Sequence, residues 1–581
     1  MKPKQNTPVI AYFSMEIALD PNIPTYSGGL GMLAGDTLRS VADLAVPLVA
    51  VSLVYRRGYF RQHLDGNGQQ SEQAQPWEPE RTLDAVDARA TVEIEGRQVI
   101  VRAWKYTVIG ISGGTVPVYL LDTDLPENSA QDRELTNSLY GGDSHYRLCQ
   151  EAVLGLGGLQ ILQLLGYSVQ RYHMNEGHAA LLALGLLERR LSQSFAGRVK
   201  QLDVDSVRSL CIFTTHTPVP AGHDEFTKEM AEHVLGTERT ALLTEANIWK
   251  GDVLNMTYLA LQFSGYVNGV AMRHGEVSRD MFPAYVISAI TNGVHALTWA
   301  APSFKELFDR YIPAWRTDNN YLRYAISIPL DDIREAHVRA KKRLFGEIKE
   351  RMGVDFDPNV FTIGFARRAS TYKRAALLFQ DPERLRRIAR DVGPIQLVYG
   401  GKAHPRDEGG KKLIRDVFGG ASSVKDVIRT VYVENYDMQW GALITAGVDI
   451  WLNNPLRPQE ASGTSGMKSA LNGVPSFSVR DGWWIEGHIE GVTGWSVGNA
   501  EVEEDDESEV NSLYTKLATD IVPMYYKQPE RYTNVMRMSI ALNASFFNTQ
   551  RMVQQYVSNA YKVRGEARPA AVPRLGKVEA E

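Results

Sequence analysis

Cysteine is almost missing from this chain. Cys149 and Cys211 are the only two in 581 residues, so neither a disulfide framework nor a cysteine-rich zinc site is available. Long apolar runs are also lacking: no stretch approaches the ~20 residues a membrane-spanning helix needs. The opening segment, MKPKQNTPVIAYFSMEIALD, holds a short apolar run broken by Glu16 and Asp20 and shows no small-residue cleavage site, so the cytoplasm is the expected location. Neither sign of charge dominates, since 63 basic and 68 acidic residues leave −5. That balance argues against a surface that coats nucleic acid, while leaving room for a local basic pocket. No internal repeat is visible. What remains is an ordinary globular composition, 44% hydrophobic and 23% charged, in a chain long enough for two or more lobes of ~100–200 residues each.

Short apolar runs rich in β-branched residues recur at 46–55, 210–218, 360–368, 395–402 and 448–455. Bounded by Gly, Pro or Asn, such runs fit buried parallel strands. Helical patterns lie between them at 146–167, 177–193 and 331–353. The alternation predicts an α/β fold with parallel sheets. It restarts near residue 300, after TNGVHALTWAAPS, which suggests a division there. Segments that look chemical follow strands on both sides of it, where open α/β sheets bind ligands.

The densest of these is NNPLRPQEASGTSGMKSALNG, residues 453–473. Small residues precede Lys468, and a helix-compatible stretch follows it, so backbone amides and an amine could meet an anion or a carbonyl. A glycine-rich turn with a solvated lysine is the plainer reading. A P-loop fails, because Met467 separates Gly466 from Lys468. A lysine holding a cofactor aldehyde remains open. In FARRASTYKRAALL, residues 365–378, Arg367, Arg368, Lys373 and Arg374 lie between a strand and an expected helix. They form either a solvated helix face or a pocket for two phosphates. TYSGGLGMLAGD, residues 25–36, is a glycine turn entering a helix. His173, Glu176, His178, His216 and His223 are histidine and acid in two neighbouring segments, but their spacing is not that of a zinc motif, and no metal is expected.

Together, EASGTSGMKSALNG with NYDMQWGALITAGVDIWLNNP before it, the R-x-x-x-x-Y-K arrangement of Arg368, Tyr372 and Lys373, the glycine turn, and TNGVHALTW resemble the glycogen and α-glucan phosphorylases of the compact bacterial and archaeal type. The resemblance runs in order from about Tyr12 to about Tyr561. It implies two Rossmann-like lobes facing a central cleft (the GT-B glycosyltransferase architecture), with lobes at 1–295 and 296–545 and a crossover helix with flexible tail at 546–581. It implies phosphorolysis of an α-1,4-glucan by inorganic phosphate, with pyridoxal 5'-phosphate carried as an imine on Lys468. Around that cofactor it places Thr464, Ser465, Tyr436, Trp299, Arg367 and Gly29. Arg368 and Lys373 would hold the substrate phosphate. Gly28, Gly29, Leu30, His216, Asn292, Glu460, Ser462 and Gly463 would contact phosphate and glucose, with His216 also catalytic. The family is usually dimeric, so a homodimer is expected. Control by AMP or phosphorylation is not, because the chain begins almost at its first strand. Ser370 departs from the histidine many long members carry there. Two other readings share parts of this pattern: a nucleotide-sugar glycosyltransferase of the same fold, and a glucan-binding protein that has lost catalysis.

Overall fold

The computed structural model describes residues 9–193, 198–219, 222–498 and 506–562; the polar tail read at 564–581 lies outside them. The fold is α/β and is built on two large sheets. The nine-stranded sheet runs, edge to edge, Ser288–Ala289, Tyr266–Gly269, Cys211–Thr214, Val169–Asn175, Val9–Ser14, Leu48–Leu53, Thr115–Asp122, Arg97–Ile109 and Asp84–Ile94. Its first seven strands pair in parallel and the last two close it as antiparallel ribbons. The six-stranded sheet is wholly parallel, in the order Arg429–Val433, Ile395–Gly400, Phe361–Ala366, Ile450–Asn453, Ser476–Val479, Gly494–Val497.

The central parallel strands of both sheets are buried on both faces, which is why they read as continuous apolar runs, whereas the edge strand Asp84–Ile94 alternates. Along Val9–Ser14, Ala11 and Phe13 join one core with Val51, Met174 and Phe213, while Ile10 and Tyr12 face another with Leu33, Leu38 and Val41 of the helix Gly29–Asp43. In the six-stranded sheet, Ile363, Leu397 and Leu452 face one core, and Val398, Val431 and Trp451 face the helices that carry Leu344, Ile348 and Ile444.

Each sheet has a switch point, where consecutive strands are laid down on opposite sides. In the first it lies between Val9–Ser14 and Val169–Asn175, and in the second between Phe361–Ala366 and Ile450–Asn453. Loops leaving the carboxyl ends of those four strands carry Glu16 and the glycine turn, Glu176, Arg367 to Lys373, and Glu460 to Lys468. The two sheets are cross-linked close to these ends. Trp299 Nε1 donates to Asp36 Oδ2 at 2.6 Å and His295 Nε2 meets Asp43 Oδ2 at 2.9 Å. Gln62 and Gln70, on the hairpin Arg61–Leu64/Gln70–Gln73, donate to the carbonyls of Gly401 and Ala403, both at 2.9 Å.

The C-terminal helix Thr549–Tyr556 returns to the nine-stranded sheet, where Met552, Val553 and Tyr556 pack with Ile10, Tyr12 and Val41. Its Arg551 is buried and donates to the carbonyls of Thr291 at 2.6 Å and Asn292 at 2.9 Å. The segment that carries Asn292 is therefore held from the far end of the chain.

Two local expectations change. The helical pattern at 146–167 is interrupted by a π turn at Val153–Gly157. Close approach explains the glycines there: a Cβ on Gly155 would stand 2.5 Å from the Leu182 backbone nitrogen, and one on Gly158 2.7 Å from the Phe13 ring. The stretch after Arg368 does not enter a helix. It makes two short 3-10 turns, Thr371–Lys373 and Leu377–Phe379, and an α-helix begins only at Pro382. Arg374 breaks the helical path with φ 47°, and its guanidinium is tied to the carbonyls of Asn454 at 2.9 Å and Pro455 at 3.0 Å.

Candidate active site

Lys468 lies within the helix Thr464–Leu471, one turn in from its start, and not ahead of the helix as the loop reading of 461–467 expects. Gly463 caps that helix with φ 87°, a conformation open to glycine at little strain. Thr464 and Ser465 form its first turn, and Ser465 Oγ accepts from Trp451 Nε1 at 3.2 Å. Gly466 allows Trp483 to lie against the helix, since a Cβ there would meet the ring at 2.7 Å.

The Lys468 amine is buried and sits 3.5 Å from the centroid of the Trp299 ring. Burial pushes its pKa down to about 8, while Asp36 opposes the shift and Arg39 adds to it. A fraction of the amine is therefore neutral and nucleophilic near neutral pH. Asn472 fastens the two walls together. Its amide donates to the carbonyls of Trp299 at 2.9 Å and Lys468 at 3.0 Å, and its oxygen accepts from Ala301 N at 2.7 Å. Tyr436 approaches from the end of Arg429–Val433, and a Cβ on Gly441 would stand 3.0 Å from the Tyr436 hydroxyl and 3.7 Å from the Trp299 ring. Gly441 thus leaves a space between two aromatic side chains that even alanine would begin to fill.

On the same sheet edge, Glu460 Oε2 accepts from Arg367 Nη2 at 2.5 Å and Lys373 Nζ at 2.6 Å. All three side chains are buried. Burial works against the Glu460 charge, but the two cations outweigh it and hold the carboxyl down to about 2. Asp481 accepts from the Glu460 and Gly482 amides at 2.8 and 2.9 Å, and burial pushes its own carboxyl up to about 7. Arg367 Nη1, Ser370 Oγ, Ser462 Oγ and Asn292 Oδ1 are buried with no protein partner. Such groups are costly unless something else satisfies them, which marks them as seats for a polar ligand.

Arg368 stands apart from this cluster: its side chain is exposed and its charge is felt at Tyr59 and His404. The structure therefore joins Arg367 and Lys373 through Glu460, and leaves Arg368 outside that cluster.

From the other sheet come the glycine turn and His216. Gly28 and Gly29 have nothing within 4 Å on their Cβ side, Leu30 is half-buried in the first helical turn, and Glu16 Oε2 accepts the Ser27 and Gly28 amides at 2.5 and 3.2 Å. A Cβ on Gly31 would meet the Glu16 carboxylate at 2.6 Å, so the turn is wrapped around that side chain. His216 Nε2 donates to Asn175 Oδ1 at 2.7 Å, and its amide donates to Glu176 Oε2 at 2.7 Å. Burial holds this imidazole down to about 4, so it is neutral at pH 7. His173 is accounted for by Tyr561 and Thr214, each at 2.8 Å. His178 pairs with Asp224 at 3.3 Å.

Asp36, Asp481, Glu16 and Glu176 escape a reading by motif. Each is an isolated acid whose partner lies far away in the chain, and only Glu176, at φ 73°, carries a local sign of constraint. Among the described residues, no helix is long and apolar enough to cross a membrane.

Residues 210–494 match the carbohydrate phosphorylase family. The maltodextrin phosphorylase of Thermococcus litoralis is 40% identical over 96% of this chain and 71% of its own length. The glycogen phosphorylase of Mycobacterium tuberculosis is 38% identical over 95% of this chain and 70% of its own. That of Aquifex aeolicus is 33% identical over 95% and 86%. With relatives this similar covering almost the whole chain, and with the buried lysine and the cation–carboxylate cluster set at the carboxyl edge of one sheet, the chain belongs to the glycogen and α-glucan phosphorylase family of carbohydrate phosphorylases.

Proposed function

We propose that this chain is an α-glucan phosphorylase, which transfers glucose from the non-reducing end of an α-1,4-glucan to inorganic phosphate as glucose 1-phosphate, with pyridoxal phosphate held by Lys468. The observation that carries this reading is the buried amine of Lys468, lowered to about 8 and lying 3.5 Å from the Trp299 ring, on the sheet edge that also holds Arg367, Lys373 and Glu460. The proposal includes two Rossmann-like lobes in a GT-B arrangement, 1–295 and 296–545, a crossover helix after them, and a homodimer.

The residues present fit the cofactor. The amine is depressed enough to condense with an aldehyde, Trp299 and Tyr436 offer ring walls, and Gly441 keeps the space between them open. The amides opening the helix at Thr464 and Ser465, with Arg367 Nη1, suit its phosphate. When bound, pyridoxal phosphate supplies a second phosphate group beside the substrate's, and its ring performs no carbanion chemistry.

Lys373 and the Gly29 amide hold the substrate phosphate where its proton reaches the glycosidic oxygen; Arg368, exposed in this structure, and the Gly28 amide, donated here to Glu16, would have to turn toward it on binding. A second phosphate in the same cleft would demand such a concentration of cations. Glu460, Ser462, Gly463 and Asn292 take sugar hydroxyls; of these, Ser462 Oγ and Asn292 Oδ1 are buried without a protein partner. Neutral His216 is oriented by Asn175 and Glu176 and presents a polar but uncharged face to glucose. Retaining glycosidases use a carboxylate nucleophile with a carboxylic acid ~5–5.5 Å away. Glu460 is taken up by its two cations and held down to about 2, and Asp481, though pushed up to about 7, is buried with both oxygens accepting backbone amides. Catalysis by positioning and charge stabilisation fits these residues better.

The competing donor is a nucleotide sugar. Incubated with maltodextrin, the protein is expected to form glucose 1-phosphate when phosphate is added, and to extend no glucan from uridine diphosphate glucose. Extension from the nucleotide sugar with no response to phosphate would overturn the proposal.

A further inference from the structure

Away from the cleft, three side chains from three elements converge on one point. Glu95 sits in the turn between the strands Asp84–Ile94 and Arg97–Ile109, His145 is on the helix Ser144–Ala152, and His233 is on the helix Lys228–Leu235. The ligating atoms of the three lie within 4.8 Å of one another. Glu95 Oε1 is the common neighbour: it contacts His145 Nε2 closely and lies 3.3 Å from His233 Nε2. From these residues we propose a binding site for a divalent transition-metal ion, zinc in the first instance, ligated by Glu95, His145 and His233.

The spacing has the right scale. Tetrahedral zinc with bonds of about 2.0–2.2 Å to nitrogen and oxygen separates its ligand atoms by about 3.3 Å. Two imidazoles and one carboxylate form a donor set that zinc and its neighbours accept, whereas calcium and magnesium prefer oxygen alone. The carboxylate is already oriented for the task. Arg97 Nη1 donates to Glu95 Oε2 at 2.5 Å, leaving Oε1 for the histidines, and Arg97 is steadied in turn by Asp132 at 2.8 Å. Hydrogen bonds of this kind around a ligand commonly fix its geometry.

The backbone points the same way. Glu95 has φ 52° and is followed by Gly96 at φ 72°, a hairpin turn that favours asparagine or aspartate ahead of glycine. A glutamate accepts strain there, and its amide donates to the Val234 carbonyl at 3.0 Å, which ties the turn to the helix of His233. The His233 side chain is 65% exposed and that of His145 31%, so an ion has a path in and a fourth position remains for water. Cys149 Sγ, one helical turn after His145, lies 3.9 Å from His145 Nε2 beside this position. None of the three ligands belongs to the active-site cluster, so the ion's role would be to clamp the hairpin to two helices.

The test is calorimetric titration of zinc into chelator-stripped full-length protein and into its His233→Ala variant, with thermal melts of each. Removing an exposed histidine leaves the zinc-free melting temperature unchanged, so a misfolded variant would be recognised. One zinc per chain and a zinc-raised melting temperature in the wild type, with affinity at least about tenfold weaker in the variant, would support the site. Absence of saturable binding, or equal binding by the two proteins, would overturn it.

Discussion

Lys468→Met is expected to yield a folded chain that lacks a pyridoxal absorbance band and releases glucose 1-phosphate at least about a thousandfold more slowly, the scale of losing a group essential to the transition state. The cofactor-free variant should also be more stable than the cofactor-free wild type near neutral pH. Burial lowers the folded-state pKa of this amine to about 8, against 10.5 for the free side chain. The unfolded chain therefore binds the proton more tightly, and the penalty on folding is complete below pH 8, shrinks between 8 and 10.5, and is gone above. A displacement of that size corresponds to about 3 kcal/mol. Denaturant melts at pH 7 and pH 10 check the sign: the advantage of methionine should narrow as pH rises. Retention of the chromophore by the variant would show that another amine holds the cofactor.

Glu460→Gln should have the opposite effect on stability. Arg367 and Lys373 would be left as buried cations without a counter-charge, and breaking a buried pair by removing one partner costs about 3–5 kcal/mol. The Glu460 carboxyl is depressed to about 2. Its contribution is therefore present above the free carboxyl value of 4.5 and lost as pH falls from there toward 2, so the gap between variant and wild type should close in acid. Inorganic phosphate supplies the missing negative charge, and should raise the melting temperature of the variant more than that of the wild type. Phosphorolysis should fall about a hundredfold, as on removal of one preorganised polar group. A variant as stable as the wild type, with the same response to phosphate, would mean that the cluster is not a phosphate seat.

The parallel strands were legible because burial on both faces writes a continuous apolar run, as in VFTIGFA around Phe361–Ala366. The start of the helix Gly29–Asp43 was legible from its glycine turn. The path after Arg368 was not, because what stops the helix at Arg374 is tertiary: its guanidinium reaches carbonyls about eighty residues away. Lys468 was visible as chemistry but misplaced locally, since small residues that suit a phosphate loop also suit the first turn of a tightly packed helix. The acids that set the electrostatics were silent. Asp36 meets Trp299 across 263 positions, and nothing near either residue announces the contact. Glu95, His145 and His233 are silent for the same reason: separate elements bring them together, and no spacing along the chain records it.

Phosphorolysis is tested most directly by the initial rate of glucose 1-phosphate release from maltodextrin by the purified protein, followed against inorganic phosphate concentration, with free glucose measured alongside. The rate should be zero without phosphate and saturate with it, yielding the α-anomer of glucose 1-phosphate and no glucose. Release of free glucose at a rate indifferent to phosphate would contradict phosphorolysis.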